Sequence, residues 1–219
     1  KDPASLYRLL HPPVGVMVLA FLVFLALYVL TFPKYHSSEI MGAFFCLFYS
    51  TVMLSFMYMT KNLVGGAFYV WLIFIGAWGS DTLAYCAGML FGKHRLSPKL
   101  SPKKTVEGAV GGVLGAGLLG VLYVYFIRFY ATTTLPAAGD VPAAFFGGGG
   151  AVAAVFFICA VCALVSMLGD LAASGIKRNY GIKDYANLIP GHGGVMDRFD
   201  SLIYVAPAVY YLVIVFFVR

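Results

Sequence analysis

Long apolar runs separated by short polar clusters dominate this chain. Val14–Phe32, Ile40–Thr60, Leu63–Gly92, Gly108–Ile127, Val141–Gly169 and Ser201–Val218 each approach or exceed the length of a spanning helix, about 20 mostly apolar residues. Within these runs only Asp81 carries a charge. None shows the alternation of a lipid-exposed barrel strand, and in lipid the backbone must then satisfy itself as helix. The predicted fold is an all-α polytopic membrane protein, a bundle of about six transmembrane helices. Pro207 predicts a kink in the last helix.

The fourth run carries Gly108, Gly111, Gly112, Gly115, Gly117 and Gly120. Gly108/Gly112 and Gly111/Gly115 are small-xxx-small pairs that let helices approach closely. A phosphate-cradling loop is the sharper alternative, but no Gly-Lys-Ser/Thr follows. Gly147–Gly150 marks a loose loop or a flexible helix start.

Composition agrees with the pattern. The 219 residues are 61% hydrophobic and 11% charged, against about 45–50% and about 25% in soluble domains. That much apolar surface cannot be hidden in water by a chain of this size. A soluble globular domain, a disordered chain and a nucleic-acid-binding module are excluded. Cys46, Cys86, Cys159 and Cys162 all lie in apolar stretches and read as small hydrophobes rather than redox or metal groups. The chain starts at Lys1 without a cleavable signal, and is read as a trimmed or engineered version of a longer protein.

The net charge of +6 is unevenly placed. Six spans put Lys1, Arg8, Lys61, Arg128 and Arg219 on one side. Lys34, Lys93, Arg95, Lys99, Lys103, Lys104, Lys177, Arg178, Lys183 and Arg198 fall on the other. The positive-inside rule makes the second side cytoplasmic and leaves the first residue outside. An intact protein starting in the cytoplasm would then have an odd number of further spans upstream.

Nine of those ten bases fall in two loops, 93–104 and 177–198, and acids gather with them. Asp170, Asp184, Asp197 and Asp200 surround the second loop; Asp81 and Glu107 flank the first. Acids at a membrane boundary are costly to desolvate and usually functional. Carboxylates suit Mg²⁺, and Lys and Arg suit phosphates. Asp197 and Asp200 are three apart at a helix start and share a face. Gly193 and Gly194 let backbone approach a ligand just before that helix N-terminus, where N–H groups favour anions.

The second loop reads Ser174, Lys177-Arg178, Lys183-Asp184, Pro190, His192-Gly193-Gly194, Asp197-Arg198 and Asp200. This resembles the signature of the phosphatidate cytidylyltransferases (CDP-diacylglycerol synthases), with every required position filled. A second block is also similar to that family: Trp78, Asp81-Thr82, Ala84-Tyr85, Gly88, Phe91-Gly92-Lys93, then Ser101, Lys103-Lys104-Thr105 and Glu107-Gly108. The resemblance runs from about Trp78 to Ser201. Three positions depart from it: Ala173 where many members have Glu, Val106 where many have Trp, and Tyr185-Ala186 at a usual small pair.

The resemblance implies transfer of a cytidylyl group from CTP to phosphatidate, giving CDP-diacylglycerol and pyrophosphate for phospholipid synthesis. The expected cofactor is Mg²⁺ or Mn²⁺, with K⁺ as a candidate monovalent ion. Asp170 and Asp197 are the expected main metal ligands, supported by Asp200 and Asp81. Lys177, Arg178, Lys183 and Arg198 are expected to hold phosphates. Ser101, Lys103, Lys104, Thr105 and Glu107 would form the opposite wall, with Ser97 a weaker candidate; Gly193, Gly194 and Ser201 complete the substrate contacts. His192 fits phosphate binding, proton shuttling or a loop hydrogen bond, and Asp184 fits either orienting a cation or a loop ion pair. The expected partners are CTP, phosphatidate and membrane lipid, with no nucleic acid; small-residue faces allow a homodimer. Residues 1–62 read as a generic helical pair and 63–219 as the catalytic membrane domain, with cytoplasmic loops 92–107 and 170–200. The expected home is a bacterial inner membrane, or an internal membrane in a eukaryote. Two rivals remain at this stage: another CTP-dependent lipid enzyme (a polyprenol or phytol kinase, or an archaeal-type lipid cytidylyltransferase) and an ion-coupled transporter suggested by Asp81.

Overall fold

Closed helical hydrogen bonding organises almost all of the computed structural model, which describes residues 3–98, 100–134, 147–186, 194 and 196–218. Helix α1 is Pro3–Thr31. The second span is one continuous helical rod made of α2 (Ser37–Leu47), a π-helical turn (Phe48–Val52) and α3 (Met53–Lys61). The third repeats that design with α4 (Gly66–Phe74), a π-helical turn (Ile75–Gly79) and α5 (Ser80–Phe91). Helices α6 (Val106–Thr134), α7 (Gly148–Asn179) and α8 (Met196–Phe217) complete the bundle. Five of these rods are long and apolar enough to cross a membrane; in α1 the apolar stretch Gly15–Thr31 is shorter.

The turns follow local chemistry. Glu39 accepts the His36 backbone N–H at 2.9 Å and caps the start of α2. Between α3 and α4 the chain reverses through Gly65, whose φ of 73° is left-handed. A side chain on the next residue, Gly66, would collide with the carbonyls of Thr60 and Lys61. Only glycine permits both features in so tight a reversal.

Two expected loops are more ordered than the hydropathy pattern suggests. A loop beginning at residue 170 is expected, but α7 continues past Asp170 to Asn179. The apolar pattern stops at Asp170 because charged and polar residues begin there. The residues that follow are still competent helix formers. Lys177 and Arg178 therefore ride on a helix. Likewise the 93–104 segment holds an antiparallel hairpin of β1 (Arg95–Ser97) and β2 (Ser101–Thr105), with Ser97 opposite Ser101 and Arg95 opposite Thr105.

The core lies where α4, α6, α7 and α8 meet. Leu72, Ile73, Val124, Val155, Ile158, Leu202, Val205 and Val209 are fully buried there, with the free thiols Cys159 and Cys162 among them. Helices in lipid gain little from apolar burial alone, so close packing must hold them. The α6 glycines supply it. A Cβ on Gly111 would overlap Ala87 on α5, and one on Gly120 would overlap Cys159 on α7. The glycine stripe is a packing surface on two sides. Segment 37–61 joins the bundle through α8, where the Phe56 ring meets Tyr210 at 5.4 Å. Pro207 sits inside α8.

The up-and-down path brings the end of α5, the hairpin, the start of α6, the end of α7 and the start of α8 to one end of the bundle. Asp81 lies ten residues before the end of α5 and Asp170 nine before the end of α7. At about 1.5 Å per residue, both sit roughly 14–15 Å below those ends.

Candidate active site

A cavity of about 500 Å³ opens among these ends, lined by Trp78, Asp81, Thr82, Ser101, Lys104, Asp170, Ser174, Asp197, Arg198, Asp200 and Ser201. Four carboxylates, two bases and four hydroxyls thus converge from five elements. Each element contributes for a local reason. The π-helical turn Ile75–Gly79 adds a residue to the rod just before Asp81, and such turns re-aim the side chains that follow. Gly169 leaves room for the Tyr204 ring to lie against α7 beside Asp170. On α8, Asp197, Asp200 and Ser201 share the side toward the cavity.

Two ion pairs tie the site together. Lys104, at the end of β2, donates to Asp170 Oδ2 at 2.5 Å. Lys177 donates to Asp197 Oδ1 at 2.8 Å, and both side chains are largely buried, 12% and 7% exposed. The other Asp197 oxygen accepts the backbone N–H groups of Tyr185 at 2.9 Å and Gly194 at 3.0 Å. Asp197 is thus the knot that fastens the 180s loop to α7 and α8. A Cβ on Gly194 would press on Ala186, so glycine there serves the approach of one loop strand to the other. The Tyr185 ring stacks over the Lys177 ammonium at 5.2 Å. Burial, with the Asp200 and Asp197 carboxylates nearby, pushes the Tyr185 phenol up and keeps it a proton-bearing donor.

Asp81 and Asp200 stand on either side of Asp170. Asp81 lies within electrostatic reach of Asp170 and Lys104 and in hydrogen-bonding range of Ser201. Asp200 feels Asp170 and Lys177, and accepts the Ser201 backbone N–H at 2.9 Å. Among the described residues no three His, Cys, Asp or Glu side chains close into a ready metal cage. The donor set still fits Mg²⁺, which usually takes one or two carboxylates and completes its shell with water and substrate phosphates.

A second cavity of about 500 Å³ shares Asp81, Lys104 and Asp170 with the first. Its other walls are Ala84, Tyr85, Gly88, Met89, Leu96, Lys103, Thr105, Gly108, Ala109 and Met167. This side is mostly apolar and is flanked by the exposed faces of Tyr85 and Met89. A charged cavity and an apolar one therefore adjoin at a single Asp–Lys–Asp wall.

The remaining expected site residues separate. Glu107 braces the hairpin: it accepts from the Lys93 N–H at 3.0 Å and pairs with His94 Nδ1 at 2.6 Å. Thr105 caps α6 by accepting the Gly108 N–H at 3.1 Å. Arg178 donates to the Ile182 carbonyl at 3.3 Å and steadies the turn after α7. Lys183 and Asp184 are exposed and Ser97 is half-buried in β1; none of the three lines the charged cavity. His192, Gly193 and Lys99 lie outside the described residues. Three contributors have no role in the sequence reading: Trp78, which lines the cavity and donates to the Arg198 carbonyl at 3.4 Å, Tyr185, and His94. Trp78 and Tyr185 stand inside the motif blocks. His94 carries no signal beyond its place in a basic loop, because its partner Glu107 lies 13 residues on.

Residues 6–216 match the model of the cytidylyltransferase family. The chain is 36% identical over 175 residues to a Staphylococcus saprophyticus protein named phosphatidate cytidylyltransferase. It is 34% identical over the same length to proteins of that name from Staphylococcus haemolyticus and Staphylococcus aureus. In each case the match covers 80% of this chain and 60% of the relative's length.

Proposed function

Because this chain belongs to the cytidylyltransferase family, we propose that it transfers the cytidylyl group of CTP to phosphatidate, releasing pyrophosphate and forming CDP-diacylglycerol. The observation that carries this reading is the pair of adjoining cavities. One is charged and suits a triphosphate; the other is apolar and suits a lipid; both touch Asp81, Lys104 and Asp170.

The chemistry follows from charge. A phosphatidate oxygen attacks the α-phosphorus of CTP. The bond from that phosphorus to the α–β bridging oxygen breaks, and pyrophosphate leaves with the electron pair. The nucleophile is already anionic, so no Ser, Cys or His need be activated. The difficulty is bringing two polyanions into line. Lys104 at the shared wall neutralises both, while Arg198 faces the charged cavity. Lys177 holds Asp197, and Asp197 in turn holds the loop. A divalent cation held by Asp170 and Asp200, with Asp81 and Asp197 beside them, would supply charge neutralisation on the triphosphate. The excess of bases on this side supports a cytoplasmic site.

The test is turnover in detergent with labelled CTP, phosphatidate and Mg²⁺, comparing the parent chain with Asp197→Asn. CDP-diacylglycerol and pyrophosphate are the expected products. Asp197→Asn, which weakens the Lys177 pair and the hold on the loop, loses about 10²-fold, the high end of what groups behind a metal's ligands contribute. A phosphorylated lipid with CDP as the product would replace this reading with a kinase. An unimpaired Asp197→Asn would refute the role of that carboxylate.

A further inference from the structure

The spans before Trp78 carry no motif, yet one of their side chains packs against α8 one helical turn from Asp200. Tyr49 sits in the π-helical turn Phe48–Val52 of the second span. It is 7% exposed, and its hydroxyl is buried without a hydrogen-bond partner among the described residues. Its ring is fixed from two sides. Phe45 stacks on it with centroids 5.8 Å apart, and Tyr204 of α8 meets it edge-on, also at 5.8 Å.

That placement is specific. Tyr204 lies one helical turn after Asp200, on the same face of α8. The groups within electrostatic reach of the Tyr49 phenol are Tyr204, Tyr185, Asp200 and Asp170. A buried O–H normally finds an acceptor, and leaving it unmade is costly. The cheap remedy of Phe at this position would keep both ring contacts. A phenol held by two rings, one of them a helical turn from Asp200, with no acceptor of its own, is a donor available to a carboxylate that shifts toward it. Asp170 is already paired with Lys104. Asp200 has its Oδ1 on the Ser201 N–H, and no Lys or Arg closes an ion pair with it among the described residues.

We propose that Tyr49 is a positioning residue of this site, whose buried hydroxyl takes up the Asp200 carboxylate and sets its orientation when substrates fill the charged cavity. The inference rests on the cytidylyltransferase reading above. It extends the working site to the second span, whose Tyr49 meets α8 through the Tyr204 ring.

The variant that decides is Tyr49→Phe, which deletes one oxygen and keeps the ring. Turnover of CTP and phosphatidate by the parent chain is measured first; its absence would sink the cytidylyltransferase reading itself. Given an active parent, Tyr49→Phe should lower kcat roughly tenfold, the low end of what orienting groups behind a metal's ligands contribute. KM for CTP should stay at the parent value. The thermal midpoint of the ligand-free protein should stay level or rise, because an unbonded hydroxyl has been removed. Parental kcat in Tyr49→Phe overturns the proposal. So does a fall in kcat that comes with a lowered midpoint, since that marks Tyr49 as packing only.

Discussion

Two lysines that look alike in the sequence stand in different surroundings, and substitution should separate them. Lys177 and Asp197 are nearly buried together. Removing one partner of such a pair leaves an uncompensated charge and costs about 3–5 kcal/mol. Lys177→Met is therefore expected to lower the thermal midpoint sharply and abolish activity. Lys104 and Asp170 are more exposed, at 28% and 20%. Lys104→Met should leave the midpoint near the parent value while turnover falls at least about 10²-fold and KM for the lipid rises. Equal loss of midpoint in both variants would contradict this division. At this scale the sequence exposed residue types well but pairings poorly. Acids and bases clustered in two loops pointed to the residues that line the charged cavity. That Lys104 meets Asp170, 66 residues on, and that Asp197 spends both oxygens within the protein, depend on how helices stack. Glu107 is expected as a substrate contact because it stands in a motif block; that it also bonds the Lys93 N–H and His94 is visible only in the structure.

Among elements, the glycine face of α6 is the joint on which the site's geometry hangs. It seats α5 on one side and α7 on the other, and those helices bring Asp81 and Asp170. Gly111→Val would drive a branched side chain into Ala87. Overpacking of this kind commonly costs about 1–3 kcal/mol. The expected result is a lower midpoint together with reduced turnover, although residue 111 lines neither cavity. Gly15→Val, with nothing within 4 Å of the added carbon, should leave both measurements unchanged. Hydropathy located the rods but misjudged their ends, by eleven residues at the start of α1 and ten at the end of α7. The apolar signal ends at Asp170 while the hydrogen-bond ladder of α7 does not, and the 95–105 hairpin is too short and polar to register as strands. The π-helical turns leave no periodic trace, since each adds a single residue to an apolar run.

For the whole molecule, charge placement predicts orientation. Lys183 is exposed near the site end and Lys61 is exposed at the opposite end. In a background lacking Cys46 and Cys86, Lys183→Cys should react with a membrane-impermeant thiol reagent only from the cytoplasmic side. Lys61→Cys should react only from outside. The reverse pattern would place the cavity on the outer face. The all-helical bundle and the gathering of bases at one end were legible because both are sums over many residues, and sums survive errors in any one of them; of the six expected spans, five are long and apolar enough to cross a membrane. The two adjoining cavities were not, because they exist only once α5, α7, α8 and the hairpin share a corner.

The two ion pairs give the resting site the character of an ion exchanger. Its lysines are already neutralised by its own carboxylates, so a phosphate can claim a lysine only by displacing an acid. Each lysine that turns away uncovers a carboxylate, and that carboxylate then attracts a cation. On the proposed reading, uptake of anion and of cation would be one linked exchange, each raising the affinity for the other by the same factor. Such a site would favour a polyanion that arrives with its counterion over phosphate alone.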